Sequence, residues 1–345
     1  MTTIPTEMKA WEVTTQGPIE TNPAPLHMVT KPVPQPGRGE VLVRILACGV
    51  CHTDLHVSEG DLPVHHDHVT PGHEIVGEVV KLGPEASRFK LGDRIGIPWL
   101  RWTCGVCSYC RSGQENLCPN SRYTGWDHDG GYAEYVTAHE AFAYRIPERF
   151  DSLTAAPLLC AGIIGYRAYE RANLPEGGRL GLYGFGGSAH ITAQIALDQG
   201  MEVHVLTRGK DARQFALELG ATSARGTYDL PPVPLDSAIS FAPVGEIVPT
   251  ALAGLKPGGT LALAGIHVSD IPNLNYQDTI FHEKNLTSVE SNTRHDGETF
   301  LKLADRLDIH PEITEYALSD ALEALRYVKK GDIRGACVLR IGESN

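Results

Sequence analysis

Apolar and polar positions alternate in short runs over the first third of the chain and change rhythm near residue 157. Residues 8–13, 41–46 and 74–82 are rich in aliphatic and β-branched side chains and are bounded by Gly and Pro, which predicts strands. Turns and a proline-rich path through Pro32, Pro34 and Pro36 join them, so this part reads as antiparallel and barrel-like. From residue 157 onward, strands predicted at 179–183, 202–207, 237–241 and 259–264 alternate with helices at 188–199, 211–219 and 247–255. That alternation predicts a parallel, doubly wound sheet, with residues 228–235 a proline-rich loop inside it. Helices at 297–307 and 320–330 and a strand at 336–341 then predict a return to the first domain. The expected class is α/β with a separate β-rich domain. The expected boundaries are 1–156, 157–294 and 295–345, with a cysteine-bearing lobe at about 99–122.

Length supports two cores, since 345 residues exceed what one core ordinarily holds. A formal charge of −12 argues against nucleic acid or an anionic membrane as the main partner, because both select basic surfaces. No apolar run approaches the roughly 20 residues that span a bilayer. The start, Met1-Thr2-Thr3-Ile4-Pro5, has neither a basic segment nor an apolar stretch of the secretory kind, which predicts a cytoplasmic protein. Eight cysteines change the picture only through their spacing, because four of them fall between residues 104 and 118.

Those four, Cys104, Cys107, Cys110 and Cys118, supply enough thiolates to close a tetrahedral zinc site with no open position, so this metal is expected to be structural. A second donor group is open. Cys51, in Cys51-His52-Thr53-Asp54-Leu55-His56, and His73, in Gly72-His73-Glu74, give two ligands of a reactive metal. Cys160 lies where barrel grammar gives way to strand–helix alternation and is the expected third, leaving one position for substrate. Gly184-Phe185-Gly186-Gly187-Ser188-Ala189 follows a predicted strand and opens a helix, as a dinucleotide pyrophosphate turn requires. The next strand ends in Thr207-Arg208-Gly209-Lys210, without the acid that accepts from an NAD ribose. Arg208 and Lys210 can pair with a 2′-phosphate, which favours NADP over NAD; alternatively Thr207 serves an NAD ribose while Arg208 covers the adenine.

Taken in order, the Cys51 segment, the Gly72-His73-Glu74 segment, the four-cysteine lobe, Pro157-Leu158-Leu159-Cys160-Ala161-Gly162 and the glycine turn resemble a zinc-dependent medium-chain alcohol dehydrogenase over essentially the whole chain. The resemblance implies a GroES-like catalytic domain interrupted by a Rossmann domain, and two zinc ions per chain. It implies that Cys51, His73 and Cys160 bind the catalytic zinc, with Glu74 close behind it. Thr53 is implied to hydrogen-bond the substrate oxygen, and His56 to end a proton relay through the cofactor ribose to solvent. Asp54 is implied to hold the far nitrogen of His73, and His52 to meet the pyrophosphate. Trp99 is implied to line the substrate cavity, with Ser58, Leu62 and Trp126 beside it. The implied reaction is reversible hydride transfer between a primary or secondary alcohol, held as an alkoxide on zinc, and NAD(P). The implied assembly is a homodimer or homotetramer, and residues 259–265 are expected to form the sheet edge that pairs with a neighbour.

Three departures from the family concern cofactor affinity: the missing ribose acid, Ile164 in place of Thr, and Ala336 where relatives place a pyrophosphate-binding Arg. Arg334 or Arg294 is the expected substitute. A polyol dehydrogenase and a non-catalytic dinucleotide-binding redox sensor are the competing functions. Several residues also have plainer readings. Thr53 can cap a helix, His56 can be an exposed helix residue, and His65-His66-Asp67-His68 can be a solvated loop. Cys48 and Cys337 read as small buried residues.

Overall fold

The computed structural model describes residues 3–21, 23–307, 309–331 and 334–342. Met1 and Thr2, read above for a leader, and Asp332 and Ile333 lie outside these. The chain divides into two compact units, Met1–Cys160 with Ser291–Lys302 and Pro311–Asn345, and Ala161–Glu290 with Leu303–His310.

The first unit begins with β1 (Glu7–Val13), paired antiparallel with β2 (Leu26–Pro32). Next come β3 (Glu40–Val50), α1 (His52–Glu59), β4 (Glu74–Leu82) and β5 (Arg94–Ile97). The cysteine lobe carries β6 (Leu100–Trp102), α2 (Ser108–Arg111) and β7 (Arg122–Tyr123), and β8 (Tyr135–His139), β9 (Tyr144–Arg145) and α3 (Ser152–Ala155) follow it. β3 runs four residues beyond the predicted 41–46 segment. Ala47, Cys48 and Gly49 are small enough to stay in the ladder, opposite Val76, Ile75 and Glu74 of β4. Cys48 is therefore a buried strand residue, and Cys51 is the first residue past the strand.

The second unit holds α4 (Ala161–Ala172), β10 (Arg179–Tyr183), α5 (Gly187–Asp198), β11 (Glu202–Leu206) and α6 (Lys210–Glu218). It continues with β12 (Ser223–Arg225), β13 (Leu235–Ser240), α7 (Ile247–Ala253), β14 (Leu255–Leu263), α8 (Tyr276–Thr279) and β15 (Asn285–Ser288). The strands form one parallel sheet in the order β12-β11-β10-β13-β14-β15. Its strand order reverses between β10 and β13, where open α/β sheets form a ligand crevice beyond their carboxyl ends. Val203, Val205, Leu180 and Leu182 are fully buried, each worth about 1.5–3 kcal/mol against exposure. The predicted edge strand is corrected here: β14 lies inside the sheet because β15 pairs with it, and β15 is the edge.

Last come α9 (Arg294–Arg306), β16 (Ile313–Ala317), α10 (Ala321–Lys330) and β17 (Ala336–Arg340). β17 runs parallel to β16 and antiparallel to β3, completing a sheet ordered β16-β17-β3-β4-β5-β9 with β8 also on β3. The divides fall at Cys160/Ala161 and Glu290/Ser291 rather than at 156/157 and 294/295. A 3-10 turn, Ala156–Leu159, buries Leu158 and Leu159 against β3, β4 and β5, which keeps the segment up to Cys160 with the first unit. Among the described residues no helix is long and apolar enough to cross a membrane.

Candidate metal centres and dinucleotide turn

Four donors converge in the first unit, the ligand atoms of Cys51, His73, Glu74 and Cys160 all lying within 4.8 Å of one another. Local structure explains the convergence. Cys51 is the extended N-cap of α1, so its side chain projects from the point where β3 gives way to helix. Glu74 opens β4 opposite Gly49 of β3, which sets the His73-Glu74 pair beside Cys51. Any side chain on Gly49 would place its Cβ 1.8 Å from Glu74 Oε2, so the carboxylate keeps its place only over a glycine. Cys160 ends the 3-10 turn.

Asp54 locks two of these segments together. It is 1% exposed. Its Oδ1 accepts from the Gly72 amide at 3.0 Å and lies 2.9 Å from His73 Nδ1. Its Oδ2 accepts from the Cys51 amide at 3.0 Å and from the Tyr132 hydroxyl at 3.2 Å. The carboxylate makes His73 Nδ1 the protonated nitrogen and leaves Nε2 as the free lone pair. That Nε2 is buried with no hydrogen-bond partner. A buried, unpartnered imidazole nitrogen among two thiols and a carboxylate fits a zinc-like cation.

The electrostatics agree. Burial opposes charge on the His73 ring, but Asp54 and then Cys51 outweigh it and hold the ring well above the usual imidazole range. The hydrogen bond from Cys160 draws the Cys51 thiol well below the usual thiol range, against burial and with help from His73. The same contact, together with burial, pushes Cys160 up. Cys51 is thus the sulfur of this set that gives up its proton most readily, as a metal-binding thiol must.

Around this set, Thr53 is buried and its hydroxyl lies 3.8 Å from the Cys51 sulfur. His56 stands on α1 with Nδ1 2.7 Å from Asp61, a partner that was not foreseen. His52 is exposed at the helix start. Trp99 packs edge-on to the His73 ring at 5.0 Å, lies nearly parallel to Trp126 at 5.8 Å and stacks on Tyr123 at 4.9 Å. These rings make an aromatic wall beside the metal donors. Ser58 does not join it. Fully buried, its hydroxyl back-bonds to the Asp54 carbonyl at 2.6 Å, as serine in a helix interior does, so it is removed from the substrate-lining set. Leu62 packs on the core. The histidine loop does not converge: His65 meets Asp127 and stacks on Trp126, His66 meets the Asp67 carbonyl, and His68 faces Glu12.

The lobe brings Cys104, Cys107, Cys110 and Cys118 together, with sulfur–sulfur distances of 3.9, 3.5 and 3.6 Å for the pairs 104–110, 107–110 and 104–118. Four sulfurs at about 2.3 Å from one zinc would stand about 3.8 Å apart, so the spacing fits a tetrahedral site. Backbone amides of Val106 and Cys107 draw the Cys104 thiol down to about 6. Glu115, in the same lobe, grips Arg294 at the start of α9 through Nε (2.9 Å) and Nη2 (2.6 Å). That grip engages Nε and Nη2 of Arg294, whose guanidinium also lies over Phe142. Arg334 pairs with Glu312 at 3.2 Å.

In the second unit the glycine turn sits at the carboxyl end of β10. Gly184 has φ +85, where a Cβ would lie 3.2 Å from the Ala242 amide. Gly186 is the N-cap of α5, and a Cβ there would meet nothing within 4 Å, so the turn faces open space. Gly187 is the first residue of α5, and Ala189 is fully buried, letting the helix sit close to the sheet. An open backbone at a helix start suits a pyrophosphate. At the end of β11, Arg213 donates to the carbonyls of Thr207 (2.9 Å) and Arg208 (2.7 Å), fixing the backbone of the ribose corner. Sequence reasoning passed over Arg213, Asp61, Gly49 and Tyr132. Only the last carried a signal, the glycine pair Gly130-Gly131 just before an aromatic residue.

A family profile described as "Alcohol dehydrogenase GroES-like domain" matches residues 37–148. A relative from Mycobacterium tuberculosis (strain CDC 1551 / Oshkosh), named "Probable alcohol dehydrogenase AdhA", is 58% identical over 339 residues, covering 97% of each chain. The chain belongs to the medium-chain alcohol dehydrogenase family. It is therefore an oxidoreductase, and the two units are the family's GroES-like and Rossmann folds. Among solved structures, acetophenone reductase from Geotrichum candidum in complex with NAD superimposes with a TM-score of 0.88 at 26% identity, covering 98% of both chains. The "CAD" of Helicobacter pylori, complexed with NADP(H), gives 0.86 at 25% identity, covering 97% of this chain and 98% of that one.

Proposed function

We propose that the chain interconverts a primary or secondary alcohol and its carbonyl product by hydride transfer to or from NAD(P), with one catalytic and one structural zinc. The observation that carries this reading is the unpartnered Nε2 of His73 among Cys51, Cys160 and Glu74. A zinc ion held there would supply Lewis acidity, and a bound nicotinamide would accept or donate the hydride. The chain's own residues do the rest. Cys51, His73 and Cys160 hold the ion, with Glu74 behind it. Asp54 keeps the His73 lone pair directed inward. Thr53 holds the substrate hydroxyl and passes its proton toward His56, which releases it to solvent, the paired Asp61 being exposed. Trp99 and Trp126 exclude water from one side of the carbinol carbon. Gly184, Gly186, Gly187 and Ala189 seat the pyrophosphate, and Thr207 and Arg208 face the adenosine ribose.

The ribose corner favours NADP. β11 ends without an acid, and the Arg213 grip presents Arg208 and Lys210 from a fixed backbone. Neighbours that hold NAD and NADP(H) show that the fold admits either. On a panel of alcohols and aldehydes assayed with both cofactors, kcat/KM is expected to be higher with NADPH than with NADH. Arg208→Ala should cost NADPH about tenfold, the worth of one charged hydrogen bond, and leave NADH nearly unchanged. A clear NADH preference in the unaltered chain sinks this part of the reading.

A cytoplasmic homodimer or homotetramer is the proposed assembly. The edge strand β15 and its surroundings expose Tyr276, Phe281 and Leu286, an apolar margin beside unpaired backbone groups. Light scattering at micromolar concentration is expected to give at least twice the chain mass, and a monomer there rules the assembly out.

A further inference from the structure

We propose that Tyr132 is a positioning residue of the catalytic metal centre, acting through Asp54 on Cys51 and His73 at once; this rests on the metal reading above. Tyr132 is fully buried, yet its hydroxyl reaches Asp54 Oδ2 at 3.2 Å. Its place is fixed by the segment that carries His73. The Tyr132 amide donates to the Pro71 carbonyl at 2.9 Å, and the Gly131 amide donates to the Gly72 carbonyl at 2.9 Å. The ring lies so close to Gly72 that a Cβ there would stand 2.6 Å from it. On its other side the Tyr132 carbonyl accepts from the Trp11 amide at 2.8 Å.

Asp54 is a buried anion whose two oxygens face four donors, two each. On Oδ1 the donors are the Gly72 amide and the His73 ring; on Oδ2 they are the Cys51 amide and Tyr132. Without the phenol, Oδ2 keeps one donor inside a buried site, and the carboxylate loses one of the four bonds that fix its plane. A shift of that plane moves the ring of one ligand and the backbone of another together. Partners of this kind, one bond away from the ligands, typically change metal affinity by about 10–100-fold. Tyr132 stands one step further out, so the lower end applies.

The test follows zinc release from the fully loaded chain into excess chromogenic chelator, in which the four-cysteine lobe gives a second phase that serves as an internal reference. Tyr132→Phe keeps the ring and removes only the hydroxyl. Its catalytic-site phase is expected to be about tenfold faster than wild type with the lobe phase unchanged. In an Asp54→Ala background the same change should add little, because no side-chain acceptor remains there for the phenol. A catalytic phase within twofold of wild type, or full additivity in the double variant, overturns the proposal while leaving the metal reading intact. A wild-type chain that shows the lobe phase alone sinks both. Should Tyr132→Phe speed both phases alike, the hydroxyl serves the fold and not the metal centre, and the positioning role is overturned.

Discussion

Replacing Cys160 by alanine is expected to leave a folded chain that holds one zinc instead of two and turns over alcohols at least about a thousandfold more slowly with either dinucleotide. The residue ends a turn whose apolar members, Leu158 and Leu159, carry the packing, so the fold does not depend on its thiol. The metal set does, since Cys51 and His73 alone are one protein ligand short of the three that a catalytic zinc takes. Metal analysis of the purified variant beside its kcat/KM decides the matter. Retention of two zinc ions, or activity within tenfold of wild type, would show that Cys160 is not a ligand. A polyol-type shell, in which a carboxylate does the work of this thiol, makes that contrary prediction.

Cys110→Ser in the lobe should give the opposite pattern. One zinc is lost, the catalytic zinc and much of the activity per folded chain remain, and stability falls. Cys110 lies 3.9 and 3.5 Å from the sulfurs of Cys104 and Cys107, so its loss opens the shell. The lobe has little else to order it: Val106 and Tyr109 are exposed, and α2 buries no residue. Part of the damage should travel through Glu115, whose grip on Arg294 ties the lobe to the start of α9. A loss of about 3 kcal/mol, at about 2–4 °C per kcal/mol for a unit of this size, corresponds to a Tm lower by roughly 10 °C. Calorimetry on zinc-loaded wild type and variant reads this directly, and an unchanged Tm would mean that the lobe is ordered without its metal.

Much of this architecture was legible because burial and periodicity coincide. In the second unit every predicted helix and strand is found near its expected place, since each predicted strand there is a short run bounded by glycine or proline. Of the strands that escaped, β2 buries only Leu26 and β15 keeps most of its residues exposed, while β5 and β8 are partly or largely buried but too short to show a period. The metal-donor residues were readable from type and spacing. What holds them was not. Tyr132 lies 78 residues from Asp54, and Arg294 lies 179 from Glu115. Hydrogen bonds of that span leave no local pattern, because the chain pays for them in topology and not in sequence rhythm. Ser58 failed as a cavity residue for a related reason, its hydroxyl being satisfied by its own helix.

β17 occupies the place between β16 and β3, with Cys337 opposite Val50 and Leu339 opposite Cys48. During synthesis the ribosome delivers Cys51, His73 and Cys160 first, then the entire second unit, and only afterwards the strand that closes the ladder one residue from Cys51. The second unit, continuous from Ala161 to Glu290 apart from one short returning segment, is free to fold while the first still has an open seam. A nascent chain therefore displays its thiols before the ladder beside Cys51 can close, so a metal held by Cys51, His73 and Cys160 would gain its full surroundings only once β17 is in place.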